Sequence, residues 1–456
     1  MTSQANALKN PAHHSHRVKI AIIGGGSLHC ATFMQSVIQQ PEVLRGCQIT
    51  LMDIDEESLD LIYTLGTKLF QQNGVEVELK KTTSQEEAIE NANFVLTTFR
   101  TGGLQSRVID EKLPLRHNLL GNDTIGAGGF FHALRNAPVI AGIAAEIEKL
   151  APKAFLLNYT SPSNITTEAI SHYSGIRVIG LQDNTFAKIA TIAQYTGAQF
   201  EPPEHLHARK VGLSNANWTT AIWSEGEDVL AQVIQWCEKF IQHKPEMTVE
   251  NYPYILLATL ATRYNAIPSY YMHYYYFPEI VLEYQQKQSQ TPTESLLAQL
   301  PRMIQSYKQE AQKKHPASIQ LPEVPGELGP DDFALSIIRS ILNDTGEEWV
   351  LNVPNKGSLN FLADDRVVEL PCRVDARGAT PLTQEDGGLS IDQKGLIAAL
   401  AEYEGAAARV ALWGNRQEAI KALAANPLVW SYSKAEKIYD ELAHAHKKFL
   451  PQRLFK

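Results

Sequence analysis

Over the first two hundred residues, apolar runs of strand length alternate with stretches of helical periodicity. The runs are 18–23, 49–52, 94–98, 154–158 and 178–181, and helices are expected to begin near Ala31, Glu56, Gln85 and Ala137. This alternation predicts an α/β fold with a doubly wound parallel sheet covered by helices. Beyond about residue 200 the helical stretches dominate, and 349–357 with 366–372 read as an antiparallel pair. Helices are expected at 393–412, 417–424 and 433–448, and the Lys- and Gln-rich stretch 285–314 reads as a solvent-facing helical region or insertion. The resulting division is a flexible tail at 1–17 containing His13, His14 and His16, a nucleotide-binding domain at 18–200, and an α+β domain at 201–456 for substrate and oligomerisation.

Composition narrows the class. With 456 residues, 44% apolar and 20% charged, the chain can bury a large core and reads as a soluble enzyme. A net charge of -9 argues against a nucleic-acid partner, because phosphate backbones reward basic surfaces. Cys30, Cys47, Cys237 and Cys372 are too scattered for a zinc cluster and too few for a disulfide scaffold, which points to a reducing cytoplasm. No run approaches the roughly twenty apolar residues that a membrane span needs, and the N-terminus lacks the apolar core of a signal peptide.

The chemistry begins where the first run ends, at Gly24-Gly25-Gly26-Ser27. Glycines after a strand let the backbone turn tightly beside a pyrophosphate, whose charge the next helix N-terminus favours. His29 stands where a third glycine of the usual fingerprint would be. Asp53 ends the second run, where a carboxylate can accept bonds from ribose hydroxyls and so favours NAD over NADP. The remaining run ends carry Arg100-Thr101-Gly102-Gly103, Asn158-Tyr159-Thr160 and Gly180-Leu181-Gln182-Asp183. Active groups in such sheets gather at these carboxyl ends. Tyr270, Tyr271, Tyr274, Tyr275 and Tyr276 form a cluster that reads first as packed core.

Taken in order, these stretches, with Gly126-Ala127-Gly128-Gly129, Pro268 through Tyr275, Val353-Pro354-Asn355-Lys356-Gly357, Val368-Glu369-Leu370-Pro371-Cys372 and Asn426-Pro427-Leu428-Val429, resemble glycoside hydrolase family 4. The resemblance runs from about residue 18 to 451. It implies a Rossmann-like, lactate- and malate-dehydrogenase-like N-terminal fold and an oxidoreductive glycosidase: transient oxidation at C3 of the sugar by NAD, removal of the C2 proton, elimination at C1 and addition of water. It implies Tyr271 as the base and Asp183 as the proton donor to the leaving group. It also implies Gly24, Gly26, Ser27, Asp53 and Arg100 at the cofactor, and Arg100, Asp123, Asn158, Gln182 and Asn215 at the substrate, a small-molecule glycoside. A homodimer or homotetramer follows from the same resemblance.

The departures are informative. The family usually holds a manganese-type ion through a Cys just before the Asp183 position and a His in the stretch matching Gly212-Leu213-Ser214-Asn215; this chain has Gln182 and Asn215. Neutral amides bind such an ion far less well than thiolate and imidazole, so no tightly bound metal is expected. The Arg-Gly-Gly stretch that contacts a 6-phosphate is replaced by Gly326-Glu327-Leu328-Gly329-Pro330-Asp331, which points away from a phosphorylated sixth carbon. Asn122-Asp123-Thr124 replaces Gln-Glu-Thr, and Ser161 replaces Asn. Two alternatives remain open at this point: an NAD-dependent sugar or hydroxyacid dehydrogenase, and a non-catalytic NAD-binding protein.

Overall fold

The first strand, β1 (Lys19–Ile23), is buried along its last four residues, as a central strand covered on both faces must be. The computed structural model describes residues 17–181, 207–224, 226–316 and 334–456. The chain continues through α1 (His29–Gln39), β2 (Gln48–Met52), α2 (Glu56–Gln72), β3 (Glu78–Thr82), α3 (Gln85–Ile89), β4 (Phe94–Thr97), α4 (Gly103–Lys112), α5 (Gly126–Leu150), β5 (Phe155–Asn158), α6 (Ser163–Tyr173) and β6 (Arg177–Gly180). These six strands are parallel in the order β3-β2-β1-β4-β5-β6, the dinucleotide-binding arrangement. Residues 1–16, and with them the expected histidine tail, lie outside the described residues.

The same sheet then continues. After β7 (His207–Leu213), β8 (Ala216–Ser224), β9 (Glu227–Asp228), α7 (Leu230–Gln242), α8 (Tyr252–Tyr264) and β10 (Ile267–Pro268) come four helices, α9 (Met272–Tyr276), α10 (Pro278–Lys287), α11 (Pro292–Gln312) and α12 (Ala334–Asn343). The expected antiparallel pair is β11 (Glu347–Pro354) with β12 (Val367–Asp375), and β13 (Gly378–Pro381) lies on β12. β11 joins the β6 edge through Asn352 opposite Gly180, and β12 meets β7 through Glu369 opposite Gly212. Last come α13 (Ile391–Trp413), α14 (Arg416–Ala424) and α15 (Tyr432–Ala445), with α13 packed on α5 and α6.

Two differences from the sequence reading have physical causes. β3 was not expected because its residues, Glu78-Leu79-Lys80-Lys81-Thr82, lack an apolar run; it is the outer strand, half in water. α5 begins at Gly126, eleven positions before Ala137. Its glycine-rich first turn reads as a loop, but a Cβ at Gly128 would lie 2.2 Å from the Asn122 carbonyl oxygen and 2.4 Å from that of Asp110, so glycine there admits two backbones against the helix. The 285–314 stretch is largely helical, as expected: α11 opens on a Thr291/Glu294 capping box and lies along α2, with Thr293 and Tyr307 its buried residues. Among the described residues no helix is long and apolar enough to cross a membrane.

Candidate active site

The site gathers where β1, β2, β4 and β5 end. Gly24 has φ +95° and a Cβ there would stand 2.3 Å from the Thr98 carbonyl oxygen, so only glycine lets the turn pass between the β2 and β4 exits. The N–H groups of Gly24 and Gly25 both donate to the Met52 carbonyl, at 2.9 and 2.7 Å. Asp53 follows immediately: its Oδ2 accepts from the Gly26 N–H at 2.9 Å and its Oδ1 from the Asp55 N–H at 3.0 Å. Ser27 N–H closes the turn onto the Gly24 carbonyl, and α1 starts two residues later. A turn cleared of side chains, a helix N-terminus and a carboxylate at the second strand end are what a dinucleotide requires, so the residues present fit NAD.

Thr98 N–H still bonds Ile23 of β1, so Arg100, two residues on, leaves the sheet beside the glycine turn. Its Nη1 donates to Asp123 Oδ2 at 2.7 Å and to His132 Nε2 at 3.1 Å. His132 Nδ1 lies 2.8 Å from the Asp123 carbonyl, which can only accept, so Nδ1 carries the proton and Nε2 is left to accept from Arg100. Burial, with Arg100 beside it, holds the His132 pKa well below the usual histidine value, in keeping with that neutral tautomer. Burial alone would raise the Asp123 pKa; Arg107, whose Nε lies 3.4 Å from Oδ2, and Arg100 outweigh it and hold the carboxyl well below its usual range. Arg107 also reaches Glu111 at 3.2 Å, and Glu111 accepts from Thr293. Two guanidinium groups thus face two buried carboxylates.

Behind this cluster, α5 supplies a buried frame. Arg135 grips Asp110 with both terminal nitrogens, and His446, just past α15, donates Nε2–H to Asp110 Oδ1 at 2.9 Å; all three residues are fully buried. Asn158 sits at the β5 end with no exposed surface. Its Oδ1 accepts from Thr97 and Thr160, and its Nδ2 donates to Thr166 and Thr167. All four bonds of the amide stay inside the protein, and a sugar hydroxyl would have to displace one of them.

Tyr271 is the cap residue before α9 and is half-buried, its ring 5.7 Å from that of Tyr270 and 6.1 Å from that of Tyr274. Burial pushes the Tyr270 and Tyr274 phenols well above their usual value. Asn122 Nδ2 donates to the Tyr274 hydroxyl at 3.5 Å, and Leu120, Ile125 and Leu428 share one apolar cluster with Tyr271. Tyr271 and Asp123 therefore ride on segments that pack together. Asn215 occupies the β7–β8 turn and is 3% exposed. Two residues on, the Asn217 carbonyl accepts from Ser269 N–H at 2.9 Å, which joins that turn to the approach to Tyr271.

Of the residues read from sequence, Gly24, Gly26, Ser27, Asp53, Arg100 and Asp123 meet at the strand ends, and Tyr271 and Asn215 sit on segments bonded to one another. Asp183, Gln182 and the stretch 326–331 lie outside the described residues. His132 was missed because it falls inside a helix and belongs to no motif. Its signal was nonetheless present: 132, 135 and 136 are polar at helical spacing within a mainly apolar stretch.

The strand order, the glycine turn and the acidic residue after β2 together define a dinucleotide-using α/β enzyme. A phenol-bearing segment beside an arginine–carboxylate cluster sets it apart within that class. Comparison with known families narrows it: the chain belongs to family 4 of the glycosyl hydrolases. The Family 4 glycosyl hydrolase model matches residues 19–197, and the model of the family's C-terminal domain matches 211–429. A probable 6-phospho-β-glucosidase of Bacillus subtilis is 32% identical over 446 residues, 95% of this chain and 98% of that one. The 6-phospho-β-glucosidase of Thermotoga maritima, solved with NAD and glucose-6-phosphate, superposes with a TM-score of 0.81 at 25% identity, covering 95% of this chain and 99% of that one. A 6-phospho-α-glucosidase from gut microorganisms, solved with NAD and Mn2+, gives 0.82 at 22%, covering 96% and 99%.

Proposed function

We propose that this chain is an NAD-using glycosidase that works by oxidation and elimination, holds no tightly bound metal, and acts on glycosides without a 6-phosphate. The observation that carries the reading is the convergence of the glycine turn, the Arg100–Asp123–His132 cluster and the Tyr271 segment at one end of the sheet. NAD, when bound, supplies a reversible hydride acceptor for C3 of the sugar, which acidifies the hydrogen on C2. Gly24, Gly26, Ser27 and Asp53 hold its pyrophosphate and ribose. The Tyr271 phenolic oxygen takes the C2 proton, the C1–O bond breaks as the C1–C2 double bond forms, and Asp183 protonates the departing oxygen. Water then adds at C1 with the proton returning to C2, and return of the hydride to C3 would reduce the ketone and restore the cofactor in each cycle.

Arg100, Asp123, Asn158, Gln182 and Asn215 orient the sugar. Arg100 and Arg107 face Asp123 and Glu111, so the described part of the cluster carries no surplus positive charge for a phosphate dianion. Gln182 and Asn215 offer neutral amides, a donor set that fits a manganese-type ion poorly. We further infer that the chain divides into domains 18–200 and 201–456 and forms a homodimer or homotetramer in the cytoplasm. Four buried cysteines outside any disulfide suit a reducing compartment, and exposed Trp413 and Trp430 suit contact between copies.

One experiment decides among readings: protein, NAD and a panel of glycosides with and without 6-phosphate in deuterated water containing chelator. Deuterium at C2 with released aglycone supports the proposal. NADH accumulation without exchange indicates a dehydrogenase, and binding of NAD with no turnover indicates a non-catalytic protein. Activity confined to 6-phosphorylated sugars overturns the substrate reading, and loss of activity in chelator overturns the metal reading.

A further inference from the structure

β4 and β5 run side by side with Thr97 opposite Asn158, and the last bond beyond that pair is Tyr159 N–H to the Thr97 carbonyl at 3.0 Å. Past it the two chains diverge, one toward Arg100 and the other toward Ser161. A single side chain bridges the gap. Asn136 of α5, fully buried, accepts from the Thr101 N–H through Oδ1 at 2.9 Å and donates through Nδ2 to the Ser161 carbonyl at 2.7 Å. A carboxamide has the donor and acceptor of a peptide group, so Asn136 extends the pairing of the two strands by one artificial rung. The same helix face grips the rest of the segment: Arg135 Nε donates to the Thr101 carbonyl at 3.2 Å, and His132, four positions before Asn136, accepts from Arg100.

We propose that Asn136 is a positioning residue: it fixes the separation between the β4 and β5 exits and thereby the placement of Arg100 over the sugar. It acts through Thr101 and does not touch substrate. The inference rests on the glycosidase reading for its kinetic consequence, but its structural half stands by itself. No other uncharged residue of its size supplies both a donor and an acceptor at this reach. Aspartate keeps only the acceptor and strands the Ser161 carbonyl, alanine strands both groups, and serine keeps both at shorter reach.

The test uses Asn136→Asp, Asn136→Ala and Asn136→Ser in the full chain, with two readouts. Amide hydrogen exchange of a peptide spanning 99–110 is expected to speed up at least tenfold at Thr101 in the Ala variant and less in Ser, and to stay near wild type in Asp, which keeps the acceptor of the Thr101 N–H. With glycoside and NAD, kcat is expected to fall ten- to a hundredfold in Asp and Ala while KM changes less than threefold, since Arg100 keeps Asp123 and His132. Ser should recover part of the loss; misplacement of a reacting group by about 1 Å costs on the order of a hundredfold. Wild-type exchange at Thr101 in a folded Ala variant overturns the proposal. So does a KM rise with kcat unchanged. If Ala does not fold, Ser decides through exchange and Asp through kcat. If the wild-type protein turns over no glycoside, the functional reading fails, and exchange at Thr101 still decides the role of Asn136.

Discussion

Arg100 Nη1 stands 2.7 Å from Asp123 Oδ2, and Arg107 reaches that same oxygen at 3.4 Å, so one carboxylate takes two cations. Replacing the carboxylate by an amide of equal shape leaves one positive charge uncompensated. Asp123→Asn is therefore expected to lower kcat/KM on an unphosphorylated glycoside roughly tenfold or more and to raise the preference for its 6-phosphate by at least about tenfold, some 1.4 kcal/mol. Steady-state kinetics on the paired substrates check this. A preference that does not move argues that the cluster lies away from the sixth carbon.

The pKa of Asp123 is depressed, so its contribution to stability is full above the ordinary carboxylate pKa, shrinks as pH falls below it, and is gone once acid passes its own, lower value. An acid limb of the activity profile should therefore persist in Asp123→Asn.

Tyr271→Phe removes the phenolic oxygen and keeps the ring that packs against Tyr270 and Tyr274. Loss of a general base typically costs about 10²- to 10⁴-fold. C2 exchange should fall within that range while the thermal midpoint and NAD affinity stay near wild type. Unchanged exchange would remove Tyr271 from the base position.

Gly24→Ala places a methyl against the Thr98 carbonyl at a backbone angle that L-residues rarely adopt. Strain of about 1–3 kcal/mol is expected from the angle alone. A fluorescence titration should show NAD binding weakened at least tenfold, on the same scale of energy. Binding at wild-type strength would mean the turn does not cradle the dinucleotide.

Glu404 of α13 is buried between Asn164, which donates to it at 2.7 Å, and two other buried acids, Glu168 and Glu369. Burial, opposed by the Asn164 bond and reinforced by those acids, raises its pKa from 4.5 to about 8. The folded protein then keeps a proton that the unfolded chain has released, so stability is lost as pH climbs from about 4.5 through about 8. Thermal midpoints of Glu404→Gln should fall less steeply over that window than those of wild type. Parallel curves would show that Glu404 is ionised in the fold.

The five apolar runs were legible because a strand buried on both faces needs side chains that say so in sequence. β3 was not, since an outer strand is specified by its neighbour and not by its own Glu78 and Lys80. Gly24, Asp53, Arg100 and Tyr271 were legible through motifs that backbone geometry or chemistry restricts. His132 and Asn136 showed only as polar positions in an apolar helix, and His446 not at all. Each acts through a partner distant along the chain, and spacing alone does not reveal that His446 is 336 positions from Asp110.

That last separation bears on how the protein is made. Asp110 and Arg135 share a buried pair whose third member arrives only when the segment after α15 has been synthesised. Until then the pair waits for its histidine, and the wall behind Arg100 is unfinished. Closing so long a loop is slow but costs little more than a shorter one. Catalytic competence should therefore be the final event of folding, gained when the chain's last tenth docks onto its first third.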